Sequence, residues 1–225
     1  MIERQNILSM IGGAKERYQH AVLTTFSFDF TFFEERVMRA FRASNISNVN
    51  ILIDQGQYQS ILHSEDSSKA HSDRRYNLIP VRSKGVFHPK ILFLAGPKEG
   101  FIAVGSGNLT SSGIGGNDEI WGAFHCLGPD GPHAMLFRHV WNYLMDCSHQ
   151  AKGIQKEKLD WILSTCSWIQ DLPSPSPGSA FFQDSVQKLW WIANNQDEGI
   201  LSQLSQQIKE PIQKITVISP YFDKD

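Results

Sequence analysis

Phe87-His88-Pro89-Lys90 and Gly105-Ser106-Gly107-Asn108, joined through two apolar runs, set the architecture expected of this chain. Side chains alternate between the two faces of a strand, so a strand begun near Val86 and continued through Ile91 to Leu94 would project His88 and Lys90 from one side. An imidazole and an ammonium would then face one small volume. The second run, Phe101 to Val104, reads as a neighbouring strand that ends in a glycine-rich turn and delivers Asn108 at little steric cost. A nucleophile or acid/base, a cation and an amide donor are the parts that handling a phosphodiester requires.

Upstream of that pair, residues 3 to 18 are expected to be helical and Ala21 to Phe26 to form a strand. Thr31 and Glu34 have capping-box spacing, and Phe33, Val37 and Phe41 recur every four residues as a core-facing helical stripe. Val49 to Ile53 has little polar alternation and reads as a fully buried strand. Strand, helix, strand is a parallel α/β opening. Polar residues 64 to 76 are read as a loop. Strands near 77 to 82, 87 to 94, 100 to 105 and 119 to 126 extend the sheet, and helices near 132 to 147 and 155 to 170 close it. The expected fold is an α/β/α sandwich on a mixed, largely parallel sheet.

Residues 1 to 170 are therefore read as one unit, followed by a Pro/Ser linker over 171 to 180 (Asp171 to Ala180) and a further segment, 181 to 225, of helices and one strand. In that segment Phe182, Val186, Leu189, Trp190 and Ala193 keep helical spacing, with Trp190 and Trp191 read as packing residues. The run Thr216 to Asp223 repeats the order of strand, hydroxyl, aromatic and Asp found from Val22 to Asp29. The chain is accordingly expected to be one half of a duplicated architecture.

The bulk numbers narrow the class. At 225 residues and 41% apolar content the chain can bury a full core. No apolar run reaches the roughly 20 residues of a membrane span and no secretory leader is evident, so the sequence is read as cytoplasmic, without stable membrane insertion. Cys126, Cys147 and Cys166 are odd in number and widely spaced, which favours buried thiols over disulfides. The net charge of −2 excludes a uniformly basic nucleic-acid binder. Locally, however, Lys69, Arg74, Arg75, Arg82, Lys84 and Lys90 face Asp73 alone between residues 69 and 90, beside the His88 motif. Arg74, Arg75, Arg82 and Lys84 are candidate substrate-binding cations, and nucleic acid is the expected partner. His125, Cys126, His133, His139, Cys147 and His149 lack zinc-site spacing, and the glycine-rich run from Gly105 lacks both the dinucleotide fingerprint and the P-loop lysine. No metal and no cofactor is expected.

The pair His88-x-Lys90 and Gly105-Ser106-x-Asn108, continued by Leu109-Thr110, resembles the signature of the phospholipase D superfamily. Ala95 stands where the fuller signature has an Asp, a departure similar to tyrosyl-DNA phosphodiesterase-like and restriction-nuclease-like members. The opening from Thr24 to Glu35, the run Asn117 to Trp121 and the segment Phe137 to Met145 add to the likeness, which covers about residues 20 to 150. The resemblance implies metal-independent phosphodiester hydrolysis through a phosphohistidine. His88 would be the nucleophile or its acid/base counterpart, with Lys90 and Asn108 on the non-bridging oxygens. It further implies that Glu119 orients His88 and fixes its tautomer, that Ser106 adds a hydroxyl or supports the turn, and that a second half completes the site. That half would come from a C-terminal repeat or from another subunit, as in a homodimer. A catalytically degenerate DNA-binding or scaffold module, motivated by Ala95 and the single His-x-Lys, and a phospholipase are the competing readings.

Overall fold

The computed structural model describes residues 7–13, 17–63, 75–173, 182–183, 188–193, 199–208 and 211. Lys69, Asp73, Arg74, most of the Pro/Ser run and the repeat at Thr216 to Asp223 lie outside these residues. The chain divides into two compact units, Met1–Pro175 and Ser176–Asp225.

In the first unit α1 (Ile7–Gly13) precedes β1 (His20–Thr25). Helix α2, residues 30 to 43, follows, with a widened π turn over Phe33–Val37 between α-helical Phe30–Phe32 and Met38–Ala43. Next come β2 (Asn48–Asp54), α3 (Gln55–His63), β3 (Asn77–Val81), β4 (Ile91–Ala95), β5 (Gly100–Gly105) and β6 (Trp121–Cys126). Helices α4 (Ala134–Cys147) and α5 (Ile154–Thr165) complete the unit.

The six strands form one sheet in the order β3-β2-β1-β4-β5-β6. Pairing is parallel across β3-β2-β1 and antiparallel from β1 through β4 and β5 to β6. The sheet is thus mixed as expected, but its parallel character is confined to one side. The short connection between β4 (Ile91–Ala95) and β5 (Gly100–Gly105) forces those two to be antiparallel, because a parallel pair needs a long crossover.

Side-chain alternation builds a core on each face. Ala21, Leu23, Val49, Ile51, Leu78, Leu92, Leu94 and Ala103 lie in one apolar cluster with Ile7 and Ile11 of α1 and with Phe33, Val37 and Phe41 of α2. The expected four-residue stripe of α2 is therefore its core face. Its cap differs from expectation: Asp29, not Thr31, accepts from Phe32 N at 3.0 Å, because Asp29 is the residue still in an extended conformation at the helix entrance. Asn45, at φ 61°, ends the helix and lets Ile46 N return to Phe41 O at 2.9 Å.

On the opposite face Phe93 stacks on Phe137 at 4.3 Å and Trp141 at 5.5 Å between ring centroids, so α4 covers β4. Helix α5 is tied to β2 by Asn48 Nδ2, which donates to Lys158 O at 2.7 Å. A buried amide ladder spans this face: Asn77 Nδ2 donates to Asn50 Oδ1 (2.7 Å), Asn50 Nδ2 donates to Asn48 Oδ1 (3.1 Å), and the Asn48 amide meets His20 Nδ1 at 3.0 Å. Helices on both faces make the α/β/α sandwich. Burial leaves Cys126 and Cys166 as inert thiols pushed up to about 11 and about 12. No helix among the described residues is long and apolar enough to cross a membrane.

In the second unit Phe182–Gln183 (β7) pairs antiparallel with Lys188–Leu189 (β8), and Ile200–Gln207 forms α6. At residues 182–183 and 188–189 the helix expected over 182 to 193 is thus replaced by paired antiparallel strands. Its apolar spacing coincided with a helical period, but the segment is rich in Phe and Trp, which favour strands.

Candidate active site

The C-terminal ends of β1 and β2, the entrance to β4 and the exit of β5 meet at one end of the sheet, and the signature residues gather there. Strand β4 begins at Ile91, so His88 and Lys90 precede it rather than lie within it. Pro89 is the reason, since it has no N–H to give a ladder. The hydroxyl of Thr24 takes over the pairing: Thr24 Oγ1 donates to Pro89 O at 2.8 Å and accepts from Ile91 N at 2.9 Å. Gly105 N still donates to Lys90 O at 3.0 Å, which joins the motif to the exit of β5.

The expected convergence of His88 and Lys90 is present by another geometry. Lys90 is 5% exposed, and its Nζ folds back to lie 2.6 Å from His88 Nδ1, 3.2 Å from Nε2 and 2.8 Å from His88 O, to which it donates. Burial pushes the Lys90 ammonium down to about 8, opposed by the Glu119 charge. His88 is itself exposed, and its imidazole is held below its ordinary value of 6.5, first by desolvation and then by the Lys90 charge; Asp54 opposes. The ring is neutral at neutral pH. Phe26 stacks against it at 4.9 Å between centroids.

Asn108 is fixed by the chain leaving β1. Its Oδ1 accepts from Phe26 N and Ser27 N, both at 3.2 Å, while Thr25 Oγ1 accepts from Leu109 N at 3.1 Å. With the carbonyl oxygen engaged, the amide NH2 is the end left to donate. Close approach explains the glycines around it: a Cβ on Gly107 would lie 2.1 Å from Gly113 O, and one on Gly113 would lie 2.5 Å from Asn108 N.

Glu119 accepts from Ser106 Oγ in a short hydrogen bond, and Ser106 Oγ accepts from Ile120 N at 3.2 Å. The expected pairing of Glu119 with His88 is therefore replaced by one with Ser106, because Glu119 sits at the entrance to β6, opposite the Ser106 turn. Its charge reaches Lys90 instead. Among the candidate cations, Arg75 is committed to Glu34 at 3.1 Å, whereas Arg82 and Lys84 are exposed on the segment that leads from β3 to His88. Ala95 is buried at the far end of β4, paired with His20 and Gly100, away from this site.

Sequence reasoning did not assign Thr24, Thr25, Phe26 or Asp54 to the site. The first three sit in the run Thr24-Thr25-Phe26, where two hydroxyls at a strand end signal hydrogen bonding beyond the ladder. Among the described residues no three side chains of the His, Cys, Asp and Glu types converge as metal ligands do.

No family model matches the chain, and no curated protein matches it. Among solved structures it is similar to Nuc from Salmonella typhimurium, a phospholipase D family member, at 14% identity and a TM-score of 0.45, over 64% of this chain and 88% of that one. It is also similar to a mutant of yeast tyrosyl-DNA phosphodiesterase (16%, TM-score 0.43, 74% of this chain and 41% of that one). A third likeness is to NucT from Helicobacter pylori (14%, TM-score 0.39, 70% and 87%). These are partial likenesses.

Proposed function

We propose that the chain is a metal-independent phosphodiesterase of phospholipase D type that cleaves nucleic acid through a phosphohistidine, and that it supplies one half of the active site. The observation that carries this reading is the Lys90 ammonium held against the His88 ring while Asn108, its carbonyl locked by Phe26 N and Ser27 N at the same sheet end, has an amide NH2 with no acceptor among the described residues. A cation and an amide donor in fixed positions are what a developing phosphorane charge needs.

In the proposed reaction a neutral ring nitrogen of His88 attacks phosphorus. The N–P bond forms as the bond to the leaving oxygen breaks, and that oxygen takes a proton from a general acid on the second half. Water, losing a proton to the same group, then attacks phosphorus and the N–P bond breaks, freeing His88. Lys90 and Asn108 hold the non-bridging oxygens throughout. The second half is a C-terminal repeat or another copy of the chain, which fits a His88 open to solvent on its outer side. Arg82 and Lys84 guide the phosphate backbone toward it. Ala95 does not argue for degeneracy, because position 95 lies at the opposite end of β4.

The test is hydrolysis of a chromogenic phosphodiester, single-stranded DNA and phospholipid by the wild type and His88→Ala, each with chelator. Chelator-resistant cleavage of the first two, lost in His88→Ala, is expected. Equal rates for the two proteins remove His88 from the chemistry, and preferential cleavage of phospholipid reassigns the substrate. DNA binding without turnover, measured with the assembled dimer or duplicated protein, identifies a binding module.

A further inference from the structure

Asp54 ends β2 at the rim of the site, and its carboxylate gathers main-chain donors from two segments. Oδ1 accepts from Gly56 N (2.9 Å) and Gln57 N (3.2 Å), which caps the first turn of α3. Oδ2 accepts from Phe87 N at 3.0 Å. Phe87 is buried and immediately precedes His88, so the hydrogen bond fixes the main chain at the point from which the imidazole projects. Gly56 leaves room for this arrangement, since a Cβ there would stand 3.2 Å from Asp54 Oδ1. Three charged groups act around His88: Lys90 in its own segment, Asp54 from β2, and Glu119, whose charge acts on Lys90.

We propose that Asp54 is the positioning residue of His88, tying the His88 segment to β2 and α3 through Phe87 N and setting a negative charge near the imidazole. It takes the part that the sequence suggested for Glu119, acting through the main chain and through its field rather than by touching the ring. The proposal rests on the reading of His88 as the reacting imidazole. In that reaction the Asp54 charge favours the positive charge that develops on the ring as its nitrogen bonds to phosphorus.

The test is an NMR titration of His88, assigned by its loss in His88→Gln, in the full-length wild type, Asp54→Asn, Asp54→Glu and the control Asp160→Asn, whose carboxylate pairs with Lys156 on α5. Turnover of a chromogenic phosphodiester is followed in parallel. Asp54→Asn is expected to weaken proton binding at His88 by about threefold or more and to lower kcat with KM little changed. Asp54→Glu keeps the charge and is expected to restore the titration, while kcat stays about tenfold down because the longer side chain displaces Phe87. Asp160→Asn is expected to change neither. A wild-type His88 titration in Asp54→Asn overturns the proposal. So does wild-type kcat in Asp54→Glu, which decides alone if Asp54→Asn does not fold. A wild type that is inactive even as the assembled dimer or duplicated protein, with the expected titration shifts, leaves the positioning intact and overturns the proposed activity instead.

Discussion

Asn108 has its carbonyl oxygen committed to two main-chain donors, which leaves its amide NH2 as the end that can donate to a substrate, so the two ends of one side chain can serve structure and chemistry separately. Asn108→Asp is expected to keep the fold, because a carboxylate accepts from Phe26 N and Ser27 N equally well. It replaces the donor by a negative charge, and kcat should fall by about a hundredfold or more. Thermal denaturation beside steady-state kinetics checks this; a parallel loss of both would show that Asn108 is only a structural clamp. His88 and Lys90 titrate in opposite functional senses. His88 must be neutral and is held below 6.5, so the acid limb of kcat/KM lies below pH 6.5. Lys90 must be charged and loses its proton as pH rises through about 8, which places the alkaline limb there. Lys90→Arg should abolish that limb, and an unchanged profile in that variant would remove Lys90 from it. The sequence pattern singled out His88, Lys90 and Asn108, and the fold gathers all three at one end of the sheet. The partner of Glu119 was not, because separation along the chain does not say which neighbour a carboxylate faces, and Asp54 stayed hidden because its partners are main-chain N–H groups that leave no mark in a sequence.

Strands and helices were legible where one periodicity dominated, as in the Phe33, Val37 and Phe41 stripe of α2 and the apolar run of β2. They were misread where two codes overlapped. Pro89 ends the ladder that His-x-Lys alternation implied, and the Thr24 hydroxyl that replaces it sits 65 residues away in sequence. Phe182 and Leu189 keep helical spacing yet face each other in an antiparallel strand pair. The amide ladder linking β1, β2 and β3 carries its own consequence. His20 is buried beside Asn48, its Nε2 has no hydrogen-bond partner among the described residues, and burial pushes it down to about 4. A depressed histidine favours the folded state only while neutral, so the stability it supports is intact above pH 6.5 and declines as pH falls toward 4. The loss is on the order of 3 kcal/mol at pH 4. Denaturant melts of the wild type and His20→Leu at pH 7 and pH 4 should show a smaller acid loss in the variant; equal losses would mean that His20 does not drive it.

At the scale of the whole molecule, the sheet separates its two ends by task. One end collects His88, Lys90, Asn108 and the Ser106–Glu119 pair, and the other closes over Ala95 and His20. Of the basic stretch seen in the sequence, Arg75 is committed to Glu34, which leaves Arg82 and Lys84 as the described cations open beside the motif. Replacing both by Ala should flatten the salt dependence of single-stranded DNA binding, with the slope of log K against log salt reduced by about 1.4. An unchanged slope would place the backbone elsewhere. In the proposed reaction His88 carries the phosphoryl group, and trapping that adduct tests the assignment. A labelled phosphodiester turned over by the assembled protein, quenched in alkaline denaturant and mapped by mass spectrometry, should yield an acid-labile phosphoryl adduct on the peptide containing His88, absent from His88→Gln. Turnover with no adduct, or with the adduct on another residue, would contradict it.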